Sequence, residues 1–254
     1  MGLFSKLFGK KKRVLEPADL SVLGADMHSH LIPGIDDGAP DLKTSISLIK
    51  KLKREGYKHI ITTPHVMSDY YRNTSEIILE GRDKVQAALE EEGIEIGFEA
   101  AAEYFLDEHF MDLIQKKDLL TFGDNYVLFE LSFMAEPPQL KEALFEMQMA
   151  GYRPILAHPE RYTYWHRDYE KFRELVERDV LLQVNINSLT GTYSPEVMKC
   201  GEDLIDDGMV RFLGTDCHHK GHIELMQQAK TTPAIHDLLN SGELWNSQLV
   251  RDRS

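Results

Sequence analysis

Val22-Leu23-Gly24-Ala25-Asp26-Met27-His28-Ser29-His30, with Asp36-Asp37-Gly38 close behind, is the stretch that decides the fold. Its apolar part has the character of a buried strand. In a strand, side chains two apart share a face. His28 and His30 therefore offer two imidazoles to one metal ion at the strand's end. A single His-x-His is a weak signal. It gains force because later strand-like runs end in the same way.

Outward from this stretch, the chain alternates strand-like and helix-like runs. Asp41 is placed to cap a helix with Leu42, Ile46, Ile49 and Leu52 on one face, and Gly56 to end it. His59–Thr63 is a strand running into Pro64-His65. Asn73 with Glu76 forms a capping box for a helix through Glu92. Strands at Ile94–Glu99, Tyr126–Phe129 and Pro154–Ala157 lead to Glu103, Glu130 and His158. Pro137-Pro138 open a helix to Ala150, and Ser194-Pro195 open another. Leu181–Ile186 is a sixth strand, with Asn185 and Asn187 at its end. Val210–Gly214 is a seventh, ending at Thr215-Asp216-Cys217-His218. Seven βα units predict an α/β, TIM-like barrel with its working residues at the carboxyl ends of the strands. An open doubly wound sheet is the alternative, but it gathers fewer strand ends at one point.

The length of 254 residues suits one large domain, placed at 19–254, behind a basic and apolar tail at 1–18. Only Cys200 and Cys217 are present, which fits a reducing cytoplasm. A net charge of -13 argues against nucleic-acid binding. No apolar run reaches the length of a membrane span. In the tail, Leu3, Phe4, Leu7 and Phe8 beside Lys10 to Arg13 suit weak contact between residues 3–13 and an anionic membrane surface. The plainer expectation is a solubilising tail.

The strand ends carry His28, His30, Asp37, His65, Glu103, Glu130, His158, Asp216 and His218. All are nitrogen or oxygen donors, which suits manganese, iron or zinc. Their number suits two or three ions sharing a bridging carboxylate. Such a site keeps residual positive charge and attracts a phosphate dianion. Taken singly, any of these residues is more often structural than a ligand. Glu103 and Glu130 rest on position alone, and Asp36 competes with Asp37 for the ligand role, or instead supports a ligand from behind or shapes the turn. His219, His222 and Lys220 are assigned to solvent or the mouth. His59, His109, His166 and His236 fall away from strand ends.

Asp26-Met27-His28-Ser29-His30, Asp36-Asp37-Gly38, Thr63-Pro64-His65, Ala102-Glu103, Phe129-Glu130, Ala157-His158-Pro159-Glu160-Arg161 and Thr215-Asp216-Cys217-His218 together resemble the polymerase and histidinol phosphatase (PHP) family. The resemblance is closer to its bacterial protein-tyrosine phosphatases of capsule and exopolysaccharide synthesis, and runs from about residue 24 to about 240. It implies a distorted (β/α)7 barrel holding three divalent ions, manganese first among them. His28, His30, Glu103 and Asp216 would hold the first ion. Glu103 would bridge to a second, completed by Glu130 and His158. Asp37, His65 and His218 would hold the third. Arg161 matches the family's phosphate-binding arginine, whereas by itself it could be a surface ion pair with Glu160.

The expected reaction is metal-dependent hydrolysis of phosphotyrosine on a protein by an activated hydroxide, with a bacterial tyrosine kinase as substrate. The expected location is the cytoplasm, peripheral at the inner face of the membrane. A phenolic leaving group of pKa about 10 needs little protonation, so no general acid is assigned. A cysteine mechanism is excluded: six residues after Cys200 and Cys217 stand Asp206 and Ile223, not arginine. The alternatives are a small-molecule phosphatase acting on a substrate such as histidinol phosphate, or a metal-bound regulator without turnover. A nuclease fits poorly with the charge, and an amidohydrolase would want lysine where Glu103 and Glu130 stand.

Overall fold

The computed structural model describes residues 15–250. The proposed membrane contact at residues 3–13 lies outside the described residues. Of the expected tail, Ala18 is buried, and its N–H donates to the Lys230 carbonyl.

Among the described residues, nine strand segments, all pairing in parallel, form two sheets. The first has the order β1 (Ala25–Asp26), β2 (His59–Thr62), β4 (Gly97–Ala100). The second runs β3 (His65–Val66), β5 (Glu103–Phe105), β6 (Tyr126–Glu130), β7 (Arg153–Ala157), β8 (Leu181–Asn185), β9 (Val210–Gly214). The expected seven strands are present, but two are broken. One stops at Thr62 and resumes at His65, and Pro64 in the gap has no N–H to give a ladder. Its neighbour stops at Ala100 and resumes at Glu103. Register is kept across both gaps, with Thr62 opposite Ala100 and His65 opposite Glu103. A single closed sheet is therefore not what the strands form.

The first strand is shorter than Val22–Met27. Leu20–Leu23 instead makes a 3-10 turn, because the Asp19 carboxylate accepts from the Ser21 N–H. Helix α1 (Leu42–Arg54) starts at Asp41, whose side chain accepts from Thr44 N–H. It buries Ile46, Leu48, Ile49 and Leu52 but leaves Leu42 exposed. Helix α2 (Ser75–Glu91) is capped by Thr74, not Asn73. The Asn73 amide is drawn away to the carbonyls of Ile35 and His65. The chain continues with α3 (Glu108–Lys116), α4 (Leu140–Met149), α5 (Glu170–Glu177), α6 (Pro195–Asp206), α7 (Lys220–Ala229) and α8 (Pro233–Asn240). Pro137-Pro138 stand just ahead of α4 rather than opening it.

Alternation along the strands separates two cores. Ile60, Phe98, Val127, Phe129, Leu156, Leu182, Val184 and Leu213 belong to the large cluster that includes the helices. Ala25, Met27, Ile61, Leu128, Ile155, Ala157 and Phe212 form a second cluster with Phe122, Tyr126 and Leu249. That inner cluster fills one end of the strands. Polar side chains fill the other.

Candidate metal centre

The nine expected donors come together at the carboxyl ends of the strands. They fall into four overlapping groups, each with ligand atoms within 4.8 Å of one another. These are His28, His30 and Asp216; His28, Glu103 and His158; His65, Glu103 and Glu130; and His30, Asp37, His65 and His218. Glu103 is shared by two groups. One difference from the expected grouping is that His65 also faces Glu103 (3.2 Å) and Glu130 (3.1 Å) through Nδ1.

Turns, not strand interiors, present several of these side chains. His158 and Asp216 stand one and two residues past their strands at φ 36° and 47°. A left-handed backbone is costly for any residue but glycine, and such strain collects at functional sites. Gly38 closes the Asp36-Asp37-Gly38 turn over His30. A Cβ there would sit 2.1 Å from the His30 carbonyl oxygen, so only glycine fits. This turn separates the two aspartates. Asp36 accepts from the N–H groups of Gly38 and His65. Asp37 Oδ1 lies 3.3 Å from His218 Nε2 and 3.6 Å from His65 Nε2.

Whether the residues suit cations is tested by the histidine hydrogen bonds. His28 Nδ1 is 2.7 Å from the Gln183 amide oxygen, His30 Nδ1 is 2.7 Å from Asp36 Oδ2, and His218 Nδ1 is 2.9 Å from the Asp216 carbonyl oxygen. All three partners only accept, so each Nδ1 carries the proton. In the neutral ring each Nε2 is then left with a bare lone pair, as a ligating histidine needs. His28 Nε2 lies 3.2 Å from Glu103 Oε2, yet neither atom finds an acceptable hydrogen bond. His30 Nε2, His65 Nδ1 and His158 Nδ1 are likewise buried without partners. Orphaned buried polar atoms on converging side chains want a ligand, and the donor set fits divalent cations.

Without ions, the histidines and acids balance one another. Burial works against a charged His28, but Glu103 and Asp216 outweigh it and raise its pKa to about 9. Burial would raise Glu103, but His28, His65 and His158 hold it well below the usual carboxylate range. A hydrogen bond from His218 lowers Asp37 to about 2. His28 is thus protonated near neutrality and must lose that proton to bind a cation. Metal affinity is expected to rise with pH up to about 9. Calorimetric titration in buffers of different ionisation enthalpy checks it through proton release. The metal-free protein has the reverse trend from His28: stability present below its unfolded pKa of about 6.5 is lost as pH rises through about 9.

Seven of the donors, Asp37, His65, Glu103, Glu130, His158, Asp216 and His218, line a pocket of about 320 Å³ together with Phe133, Arg161, Tyr193, His219 and His222, while His28 and His30 are buried beneath it. Arg161 does not pair with Glu160. Its Nη1 is 3.5 Å from Asp216 Oδ2, while Glu160 is buried and accepts from Asn185 N–H and Ser188 Oγ–H.

Comparison with known proteins then decides the family. The family model for capsular polysaccharide synthesis, CpsB/CapC, matches residues 24–232. The chain belongs to the CpsB/CapC family. It is 28% identical over 195 residues to the tyrosine-protein phosphatase YwqE of Bacillus subtilis (strain 168), covering 76% of this chain and 77% of YwqE. Among solved structures, one from a study of YwqE from Bacillus subtilis and CpsB from Streptococcus pneumoniae, described as unique metal-dependent tyrosine phosphatases, matches with TM-score 0.77. It is 26% identical and the match covers 88% of this chain and 89% of that one. A zinc-bound histidinol phosphate phosphatase from Lactococcus lactis matches with TM-score 0.50 at 16% identity, over 85% and 94% of the two chains. At that identity the likeness shows the fold alone.

In this CpsB/CapC chain Asp36 holds His30 from behind, one of the places its sequence context offers, whereas the orienting roles of Gln183 and Asn185 carry no motif. Gln183 Nε2 donates to Asn185 Oδ1, and Asn185 Nδ2 donates to Asp216 Oδ2. His28, Gln183, Asn185 and Asp216 so form one buried chain. The signal was available: Leu182-Gln183-Val184-Asn185 alternates apolar and polar, whereas a parallel strand covered on both faces should not. Asp36→Asn and Gln183→Met are each expected to weaken metal binding about 10–100-fold with the fold retained. Metal titration followed by calorimetry, with circular dichroism as control, checks this.

Proposed function

We propose that the chain is a metal-dependent phosphatase that removes phosphate from tyrosine on a protein, and that its physiological substrate is a bacterial tyrosine kinase of capsular or exopolysaccharide synthesis. The observation that carries this is the convergence of the Nε2 atoms of His28, His30 and His218 on Glu103, Asp216 and Asp37. The family and the names of its relatives support the same reaction. His28, His30, Glu103 and Asp216 would hold one ion, Glu103, Glu130 and His158 a second, and Asp37, His65 and His218 a third. Oxygen and imidazole donors without sulfur suit manganese, with iron or zinc as alternatives. When bound, such ions lower the pKa of water and neutralise phosphoryl charge.

The protein's own part is orientation. Arg161 faces the pocket beside Asp216 and presents a planar fork of donors to phosphate oxygens. The two sheets act as one distorted seven-stranded barrel. Support comes from Asp216 N–H donating to the His28 carbonyl, and His30 N–H to that of Cys217. A cytoplasmic location fits Cys200 and Cys217, both free and buried. No helix among the described residues is long and apolar enough to cross a membrane.

The test is turnover of p-nitrophenyl phosphate, a phosphotyrosine peptide and histidinol phosphate with added manganese, then with chelator. Hydrolysis of the first two that stops on chelation is expected. Activity surviving verified metal removal overturns the metal mechanism, and clear preference for histidinol phosphate overturns the protein substrate. Elemental analysis should find three ions per chain. Arg161→Lys keeps the charge but loses the fork, and is expected to lower kcat/KM about 10–100-fold with metal content unchanged.

A further inference from the structure

Phe133 lies in the loop between β6 and α4, three residues after Glu130, and lines the same pocket as that donor. Its ring centre is 4.6 Å from the Arg161 guanidinium carbon and 5.6 Å from the His158 ring. Tyr193 lies against the same guanidinium at 4.5 Å. Both rings thus pack on a cation that itself lines the pocket. Phe133 nonetheless keeps 44% of its surface exposed, so part of its ring stays free at the pocket. Tyr193 is a poorer candidate for contact with substrate: burial, with Asp216 near it, raises its phenol to about 12, as expected of a ring set into the wall.

Resting on the phosphatase reading above, we propose that Phe133 is the specificity-determining residue of the pocket, its exposed ring meeting the aromatic ring of an aryl phosphate ester whose phosphate is held by Arg161. The pocket needs such a wall. The nine donors and Arg161 recognise the phosphoryl group, which is the same in every phosphate monoester. Only a group beside them can distinguish a phenyl from an alkyl ester. Phe133 is the apolar ring that is both exposed and in contact with the phosphate-binding arginine. An edge-to-face or offset pair with a substrate ring is worth about 0.5–1.5 kcal/mol beyond burial, or roughly a 2- to 12-fold preference.

The test uses non-hydrolysable ligands, so that leaving-group reactivity does not enter. Phenylphosphonate and methylphosphonate are titrated calorimetrically into the manganese-loaded wild type, Phe133→Leu, Phe133→Ala and Phe133→Trp. The wild type should prefer the phenyl ligand. Phe133→Ala should lose about 2- to 12-fold of that preference, Phe133→Leu part of it, and Phe133→Trp should retain it. Loosening of Arg161 weakens both ligands alike and leaves their ratio unchanged, which separates recognition from a merely structural effect. An unchanged ratio in Phe133→Ala and Phe133→Leu overturns the inference. Binding is read without turnover, so a failure to hydrolyse phosphotyrosine would overturn the phosphatase reading and leave this result to be judged by itself.

Discussion

Glu103→Gln is expected to cut kcat/KM by more than about a thousand-fold and to lower the metal content measured in the purified protein. Glu103 is the acid shared by two of the donor groups, and its oxygens lie 3.0–3.4 Å from His28, His30, His65 and His158. Glutamine keeps the shape but supplies one neutral oxygen where the arrangement calls for two anionic ones. Loss of an orienting residue costs about 10–100-fold, so loss of a shared donor should cost more. The control is Glu160→Gln. That carboxyl is also buried, but it accepts from Asn185 and Ser188 rather than facing the pocket. Equal activity losses in both variants, with normal metal content, would show that Glu103 acts on the fold and not on the ions.

The second large effect is thermal. A ligand at a thousand times its Kd stabilises the folded state by about 4 kcal/mol per site. For a chain of this size each kcal/mol moves Tm by about 2–4 °C, so complete chelation should lower Tm by roughly 8–16 °C even if only one site binds that tightly. Repulsion among the four carboxylates adds less than their number suggests. Five histidines stand among them, and His28 carries a proton near neutrality. The metal-free protein should therefore still fold. Differential scanning calorimetry before and after dialysis against chelator, with manganese restored afterwards, checks both the fall and its reversal. An unchanged Tm after verified removal would count against the cluster.

Much of the site was legible because its donors follow strands, and strands announce themselves by apolar runs. Glu130 after Tyr126–Phe129 and His158 after Pro154–Ala157 needed no more than that. Asp36 and Asp37 could not be ranked from sequence, since both suit a turn. Only the fold puts the carboxylate of Asp36 behind His30 and that of Asp37 in front of His218. Gln183 and Asn185 were missed because amides at a strand end have many uses, and their partner His28 lies 155 residues from Gln183. Local capping was misread at Asn73 for a related reason: a distant carbonyl, that of Ile35, competes for its side chain. The split sheet was hidden as well. Pro64 marks one break, but Ala101-Ala102 carries no comparable mark.

That split has a mechanical consequence. His28 and His30 follow a strand of the smaller sheet, while His65, Glu103, Glu130, His158, Asp216 and His218 hang from the larger. The ladder has gaps where the two meet, beside Thr63-Pro64 and Ala101-Ala102. Cations held between these side chains would act as rivets across a seam, tightening a joint that backbone bonds between Asp216 and His28 and between His30 and Cys217 already close.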